Sequence, residues 1–139
     1  MRFLAVDLGD KRTGLATADE DPNIVHPLVV LEVPIGPLLV DAIEKAINEH
    51  GAEAIVLGLP LDMDGSVGPR AQLTQEFGEK IARQTSMKVY YQDERLTSVA
   101  AEARLSQSGR THKQKKRVRD ALAAAEILND FLGTRSRKQ

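Results

Sequence analysis

Three acidic residues, far apart in the chain, are the candidates for chemistry: Asp7, Glu94 and Asp120. Asp7 ends an apolar run, Glu94 follows a predicted strand, and Asp120 lies near the start of a predicted alanine-rich helix. Because burial removes a carboxylate from water, a chain keeps one among apolar residues only with a compensating group. Carboxylates that meet at one place bind Mg²⁺, and a pair of such ions can assist phosphoryl displacement.

Each acid also has a plainer interpretation when it is taken alone. Asp7 is equally well explained as a strand-end residue paired with Lys11 or Arg12 of the following turn. Glu94 fits a solvated turn, and Asp120 fits a carboxylate stabilised by a helix dipole. Only the combination of three carboxylates without a His or Cys cluster favours a magnesium site over a zinc site.

The charge distribution indicates a polyanionic partner although the net charge is only −1. Residues 110–139 contain nine Lys/Arg and three Asp/Glu, a net charge of +6. Residues 1–109 contain ten Lys/Arg and seventeen Asp/Glu, a net charge of −7. A basic segment directly before Asp120 is suited to holding a phosphate backbone beside a metal site.

Five apolar runs predict the strands of one sheet, over residues 2–8, 13–18, 26–33, 53–59 and 88–92. The first three are joined by short links, which predicts an antiparallel meander. Strand–helix alternation follows, which is typical of parallel pairing. We therefore expect an α/β domain with a five-stranded mixed sheet, three strands antiparallel and then two parallel, flanked by helices.

Helical periodicity occupies the segments between and after the last strands. Apolar residues from Leu39 to Ile47 share one helical face, and a second helix is predicted to start at Pro69. A third is predicted from about residue 97 or 98 to Gly109, and a last one over about 117–132. The basic segment 110–116 is predicted to be a mobile loop, and residues 133–139 a disordered basic tail.

Length and composition predict one cytoplasmic domain over residues 1–139. The chain has no cysteine, which excludes disulfides and thiolate metal sites. The first apolar run is too short for a signal peptide, and no apolar stretch approaches the roughly 20 residues that span a bilayer. We therefore expect no membrane partner.

Four motifs in order then establish a family resemblance that runs through almost the whole chain. They are 7–16 (DLGDKRTGLA), 56–60 (VLGLP) with 64–66 (DGS), 93–98 (DERLTS) and 120–124 (DALAA). By these motifs the chain resembles the YqgF/RuvX family. Members are described as Holliday junction resolvases or as nucleases that mature the 5′ end of the small-subunit ribosomal RNA precursor, pre-16S rRNA.

The resemblance implies a ribonuclease H-like (RNase H-like) fold and an Mg²⁺-dependent nuclease, with Mn²⁺ as a substitute ion. It also implies that Asp7, Glu94 and Asp120 are the catalytic, metal-binding acids, with Asp93 able to substitute or assist. In this hypothesis Asp7 bridges two ions, and the other two acids each complete one. The residues expected to contact nucleic acid are Lys11, Arg12, Arg110, Lys113, Lys115, Lys116, Arg117 and Arg119.

Several alternatives stay open from the sequence. RNA, in precursor ribosomal particles, is the favoured partner, and branched DNA is the alternative. A catalytically silent nucleic-acid-binding module and a protein–protein scaffold are the non-enzymatic rivals. An actin-like kinase is rejected because that fold needs two such domains. The sequence does not separate endonuclease from exonuclease action, or monomer from dimer.

Overall fold

The computed structural model describes residues 1–20, 24–94 and 112–137, with side chains from 121 to 135 in the last helix. The strands are β1 (Arg2–Asp7), β2 (Thr13–Asp19), β3 (Ile24–Leu31), β4 (Ala54–Leu59) and β5 (Lys88–Asp93). The helices in these ranges are α1 (Pro37–His50), α2 (Pro69–Thr85) and α3 (His112–Arg137). Each strand lies within two residues of its predicted bounds.

The five strands form one mixed sheet in the order β3-β2-β1-β4-β5. β1 pairs antiparallel with β2, and β2 pairs antiparallel with β3. On the other side, β1 pairs parallel with β4, and β4 pairs parallel with β5. The predicted sheet of three antiparallel and two parallel strands is therefore confirmed. Its consequence is that β1, β4 and β5 end at the same edge.

Alternate residues of β1 supply the two faces of the sheet with separate cores. Leu4 and Val6 pack with α1 and α2, whereas Phe3 and Ala5 pack with α3. This follows from the two-residue repeat of a strand, which sends successive side chains to opposite faces. β1 is apolar on both faces because helices cover both. The candidate site described below lies on the face that α3 covers.

The helices begin and end at residues suited to those positions. α1 starts with Pro37 and is followed by Gly51 in the left-handed conformation (φ 66°), whose N–H bonds the carbonyl of Ile47. α2 likewise starts with a proline, Pro69, as predicted. None of the helices in the described ranges is long and apolar enough to cross a membrane.

α3 is longer than the helix predicted from the sequence. Residues 112–116 belong to it, although they were predicted as part of a loop, and so do residues 133–137, which were predicted as a tail. Lys, Arg and Gln are good helix formers, so a basic run without apolar periodicity can continue a helix. At the other end, Arg135 donates to Glu20 at 2.7 Å and anchors the last turns. The predicted helix ending at Gly109, and Arg110, lie outside the described residues.

Candidate active site

Three positions at the shared strand edge face α3. Position 7 follows Phe3 and Ala5 on that face, and position 58 follows Ala54 and Val56. Glu94 continues the alternation of Tyr90 in β5. β4 lies between β1 and β5, and its last pair with β1 is Val6–Leu57. Asp7 continues β1 beside position 58, and Cγ of Glu94 lies 3.4 Å from where a Cβ at that position would be. Position 58 is a glycine, so no side chain separates the two acids.

A cavity of about 200 Å³ opens at this edge. Its lining residues come from β1, β4, α2, α3 and the segment after β5: Asp7, Leu8, Gly58, Pro60, Arg70, Glu94, Ala123 and Ile127. Two of the three predicted catalytic acids, Asp7 and Glu94, thus share one cavity although they are 87 positions apart in the chain.

The described surroundings of Glu94 disfavour the charged form of its carboxyl group. Its Oε1 atom is buried and has no hydrogen-bond partner among the described residues. Its pKa is raised from 4.5 to about 9, first because burial disfavours the charged form. A hydrogen bond to Asp130 and the negative charges of Asp130, Asp7 and Asp93 raise the pKa further. A cation from solution would satisfy this carboxylate.

Gly58 makes the close packing around Glu94 possible. A Cβ atom at this position would lie 2.5 Å from Cδ1 of Ile127 and 3.4 Å from Cγ of Glu94. Ile127 is fully buried, so its side chain has little space into which it can shift. The motif residue Gly58 therefore lets α3 approach the sheet directly beside the acids, a role that the sequence left open.

α3 runs antiparallel to β1 and crosses the site near its own N-terminal half. Ala123 and Ile127 line the cavity at the end of β1, whereas Phe131 packs on Phe3 near the start of β1. Position 120 precedes Ala123 by three residues and Ile127 by seven, the spacing of one helical stripe. The helix backbone thus brings Asp120 toward the site edge.

The basic residues of α3 begin beyond the cavity. His112, the first helical residue, precedes Ala123 by eleven positions, or about 16 Å of helix. The predicted nucleic-acid contacts in this part of the helix are Lys113, Lys115, Lys116, Arg117 and Arg119. Their positions lie on the part of α3 that precedes the cavity-lining residues Ala123 and Ile127.

The other predicted residues are placed less centrally. Asp93 is exposed, and strand alternation sends it to the opposite face of the sheet from Glu94. Of the two neighbouring acids, Glu94 lines the cavity. Lys11 is exposed and Arg12 is partly exposed, both in the turn between β1 and β2. That turn is tight, because a Cβ on Gly9 would clash with the backbone oxygen of Arg12.

Sequence reasoning missed two residues near the acids. Asp130 helps to raise the pKa of Glu94, and it follows the cavity-lining Ile127 by three residues, one turn along α3. Arg70 lines the cavity from the first turn of α2. No periodicity in the sequence links that arginine to Asp7, because the two are joined only by the packing of α2 against the strand edge.

The donor set of the cavity fits a hard divalent cation. Asp7 and Glu94 offer carboxylate oxygens, and Oε1 of Glu94 is buried without a hydrogen-bond partner in the described part of the chain. Among the described side chains, which exclude that of Asp120, no group of three His, Cys, Asp or Glu could hold a metal alone. A Mg²⁺ ion usually takes only one or two carboxylates and keeps water and substrate oxygens as its other ligands.

Comparisons with known proteins match this chain over nearly its full length. Residues 1–134 match the RuvX family, described as Holliday junction resolvase. A relative from Dechloromonas aromatica (strain RCB) is 41% identical over 128 residues, covering 92% of this chain and 88% of the relative. One from Lactococcus lactis subsp. cremoris (strain SK11) is 36% identical, covering 99% and 97%. Both are named "Putative pre-16S rRNA nuclease".

Solved structures with little sequence identity share the fold. RuvC of T. thermophilus in complex with a Holliday junction substrate has a TM-score of 0.57 at 14% identity, covering 98% of this chain and 96% of that one. The fowlpox virus resolvase in complex with Holliday junction DNA has a TM-score of 0.59 at 10% identity, covering 96% and 98%. The chain has the RNase H-like fold of such resolvases, and it belongs to the RuvX family, whose members include relatives named for nuclease action on pre-16S rRNA.

Proposed function

We propose that this chain is an Mg²⁺-dependent nuclease of the cytoplasm that hydrolyses phosphodiester bonds at the 5′ end of pre-16S rRNA. The observation that carries the proposal is the buried Oε1 atom of Glu94, without a hydrogen-bond partner in the described residues, in a cavity shared with Asp7. Relatives of 34–41% identity carry the name of pre-16S rRNA nucleases, which supports RNA as the substrate.

The proposed ligands are Asp7, Glu94 and Asp120. Bound there, Mg²⁺ would neutralise charge on the phosphodiester and lower the pKa of an attacking water. The chain's own part is to hold Asp7 and Glu94 on one sheet face and to exclude bulk water beneath α3. Ile127 packs against Gly58 and adds an apolar wall to the cavity, and an apolar wall strengthens electrostatic interactions beside it.

The basic first half of α3 is proposed to orient the RNA strand. Its lysines and arginines precede position 120 on the same helix, so a phosphate backbone bound there leads toward the acids. Such contacts carry little sequence information, and we therefore expect weak sequence preference. Binding should weaken steeply with salt, because each neutralised phosphate releases counterions.

Cleavage of end-labelled substrates tests the proposal. Wild-type protein should cut a pre-16S rRNA fragment in Mg²⁺ or Mn²⁺ but not in chelator, and Asp7→Asn should abolish the cutting. Asp19→Asn is the matched control, because Asp19 lies on β2 at the opposite end of the β1 pairing. Equal cutting by wild type and Asp7→Asn would indicate a contaminating nuclease and overturn the assignment.

A second candidate function is resolution of four-way DNA junctions. It is favoured by the family description and by the fold of junction-bound resolvases. A four-way DNA junction in the same assay separates the two, since preferential, symmetric cutting of the junction would replace RNA processing. Binding of either substrate without any metal-dependent cutting would instead favour a silent binding module.

A further inference from the structure

Arg70 is a cation beside the acids that the proposed mechanism does not use. It is the second residue of α2 and lines the cavity with Asp7 and Glu94. Its Nη2 donates to the backbone oxygen of Leu8 at 3.0 Å, and its Nη1 donates to Oδ1 of Asp10 at 2.5 Å. The guanidinium therefore bridges the wall of the cavity and the start of the turn between β1 and β2.

The loop before α2 holds Arg70 in this position. Asp62 accepts a hydrogen bond from the hydroxyl of Ser66 at 3.1 Å, and the N–H of Asp62 bonds the carbonyl of Ser66. Gly68 then passes so close to Asp62 that a Cβ would lie 2.8 Å from its Oδ2 atom. This tight loop contains the DGS motif, and it fixes the direction in which the first turn of α2 leaves it.

Stability alone does not account for this arrangement. The side chain of Asp10 is 80% exposed and that of Arg70 is 39% exposed, and exposed ion pairs contribute little. A guanidinium has five N–H donors, and the described contacts use two of them. Three donors on a planar group suited to phosphate thus have no assigned acceptor among the described residues.

The charge of the cavity gives these donors a function. The negative charge of Asp7 repels an incoming phosphodiester, and among the described lining residues Arg70 is the one cation. α2 reaches the cavity on a different side from α3, since the two helices cover opposite faces of the sheet. A nucleic-acid strand that crosses the strand edge would meet basic residues of α3 on one side and Arg70 on the other.

We infer that Arg70 binds a backbone phosphate of the nucleic-acid strand next to the bond that is cut. This inference rests on the proposed function and deepens it. The phosphate would approach the free edge of the guanidinium while Leu8 keeps the other edge in place. Asp10 is dispensable for binding in this arrangement, because its carboxylate competes with phosphate for the same group. If the Arg70–Asp10 pair served only to hold the structure together, loss of Asp10 would weaken binding as much as loss of Arg70.

Binding of a fluorescein-labelled pre-16S rRNA fragment, measured by anisotropy in chelator over a range of KCl concentrations, tests the inference. Arg70→Gln should weaken binding about tenfold, the loss of one charge-assisted contact. The slope of log K against log salt should become shallower by about 0.7, the value for one single-strand phosphate. Arg83→Gln, the same charge change elsewhere on α2, should leave affinity within about twofold because its charge is exposed and screened.

Asp10→Asn separates the two roles. We expect Asp10→Asn to bind the RNA fragment as tightly as wild type or more tightly. Glu49→Gln removes the same negative charge at an exposed position on α1, so it measures the general effect of that charge on binding. Equal weakening by Asp10→Asn and Arg70→Gln would overturn the inference in favour of a structural clamp. Identical affinity and salt slope for Arg70→Gln and Arg83→Gln would overturn it outright.

Two further outcomes are distinguishable. If Arg70→Gln does not fold, Arg70→Lys replaces it. The retained charge should keep the wild-type salt slope, whereas loss of the paired N–H donors of the guanidinium should weaken affinity. Wild-type affinity of Arg70→Lys would overturn the inference. If wild-type protein binds neither the RNA fragment nor a four-way DNA junction, the proposed function itself fails, and the phosphate role of Arg70 fails with it.

Discussion

Acidic residues at the two ends of β1 have opposite surroundings. Near the start of β1, Asp19 pairs with Arg2 at 2.9 Å, and Glu20 pairs with Arg135 at 2.7 Å. The Arg2 guanidinium lowers the pKa of Asp19 through a hydrogen bond. At the other end of β1, burial and neighbouring acids raise the pKa of Glu94 to about 9.

This difference distinguishes stabilising acids from functional ones. An acid paired with arginine is satisfied within the chain and needs nothing from solution. A buried acid among other acids is unfavourable in its charged form unless a cation is added, and such perturbed groups cluster at functional sites. The paired end and the acid-rich end are therefore expected to respond differently to mutation, pH and metal.

The largest expected difference concerns catalysis. Glu94→Gln should lower the cleavage rate on the order of 10³-fold, as for removal of a central catalytic group. Glu20→Gln, the same chemical change at the paired end, should leave the rate within about twofold, because the Glu20–Arg135 pair lies at the opposite end of β1 from the cavity. Rates from single-turnover cleavage in Mg²⁺ check this. Comparable losses in both variants would mean that global stability, not the site, controls activity.

The dependence of stability on pH should also have opposite signs at the two ends. Between pH 4.5 and about 9 the folded protein keeps a proton on Glu94 that the unfolded chain has released. In chelator, the free energy of unfolding should therefore fall as pH rises through this interval, and Glu94→Gln should remove that fall. The contribution of Asp19 is instead present above its unfolded pKa near 3.8 and is lost in acid.

Thermal unfolding at several pH values measures both contributions. Asp19→Asn is the control near neutral pH, because there its free energy of unfolding should fall with rising pH as that of wild type does. Parallel profiles for wild type and Glu94→Gln would contradict the raised pKa of Glu94.

Packing beside the acids should be less tolerant than packing elsewhere. Gly58→Ala places a Cβ 2.5 Å from Cδ1 of the buried Ile127, and we expect a loss of about 1–3 kcal/mol in the free energy of unfolding together with slower cleavage. Gly36→Ala is the matched control, since a Cβ there meets nothing within 4 Å. Denaturant titration compares the two. Equal stability of both variants would show that the approach of α3 is not tight.

The smallest expected effect is at the paired end. Arg135 lies over the rings of Phe3, Tyr90 and Phe131, at 5.5–5.8 Å from the centroids, and it also pairs with Glu20. Arg135→Gln should lower the free energy of unfolding by about 1 kcal/mol and leave the cleavage rate unchanged. Denaturant titration and the cleavage assay measure these separately. A loss of cleavage larger than the loss of stability would connect this end of α3 to the site.

The sheet could be predicted from the sequence because its signals are local. Apolar runs and turn residues identified all five strands, and the change of period after Pro34 marked the first helix. The ends of α3 could not be predicted in the same way, because basic residues are compatible with both loop and helix. The contact of Arg135 with Glu20, which anchors the last turns, joins positions 115 residues apart.

The candidate acids could be named from the sequence, but their environment could not. Asp7 and Glu94 follow apolar strands, and their shared cavity follows from alternation and from the parallel order of β1, β4 and β5. Arg70 has no such local signal, because its nearest partners, Leu8 and Asp10, are about 60 positions away. Burial of Glu94 likewise depends on α3 reaching Gly58, which is a tertiary contact.

Stabilisation by Mg²⁺ at pH 8 is the most direct test that the acid-rich end takes a divalent cation. A ligand that binds only the folded state raises the unfolding temperature, here by on the order of 5 °C at saturating MgCl₂. Wild type and Asp19→Asn should show this rise, whereas Asp7→Asn and Glu94→Gln should lose most of it. No rise in wild type, or an equal rise in Asp7→Asn, would contradict a metal site formed by Asp7 and Glu94.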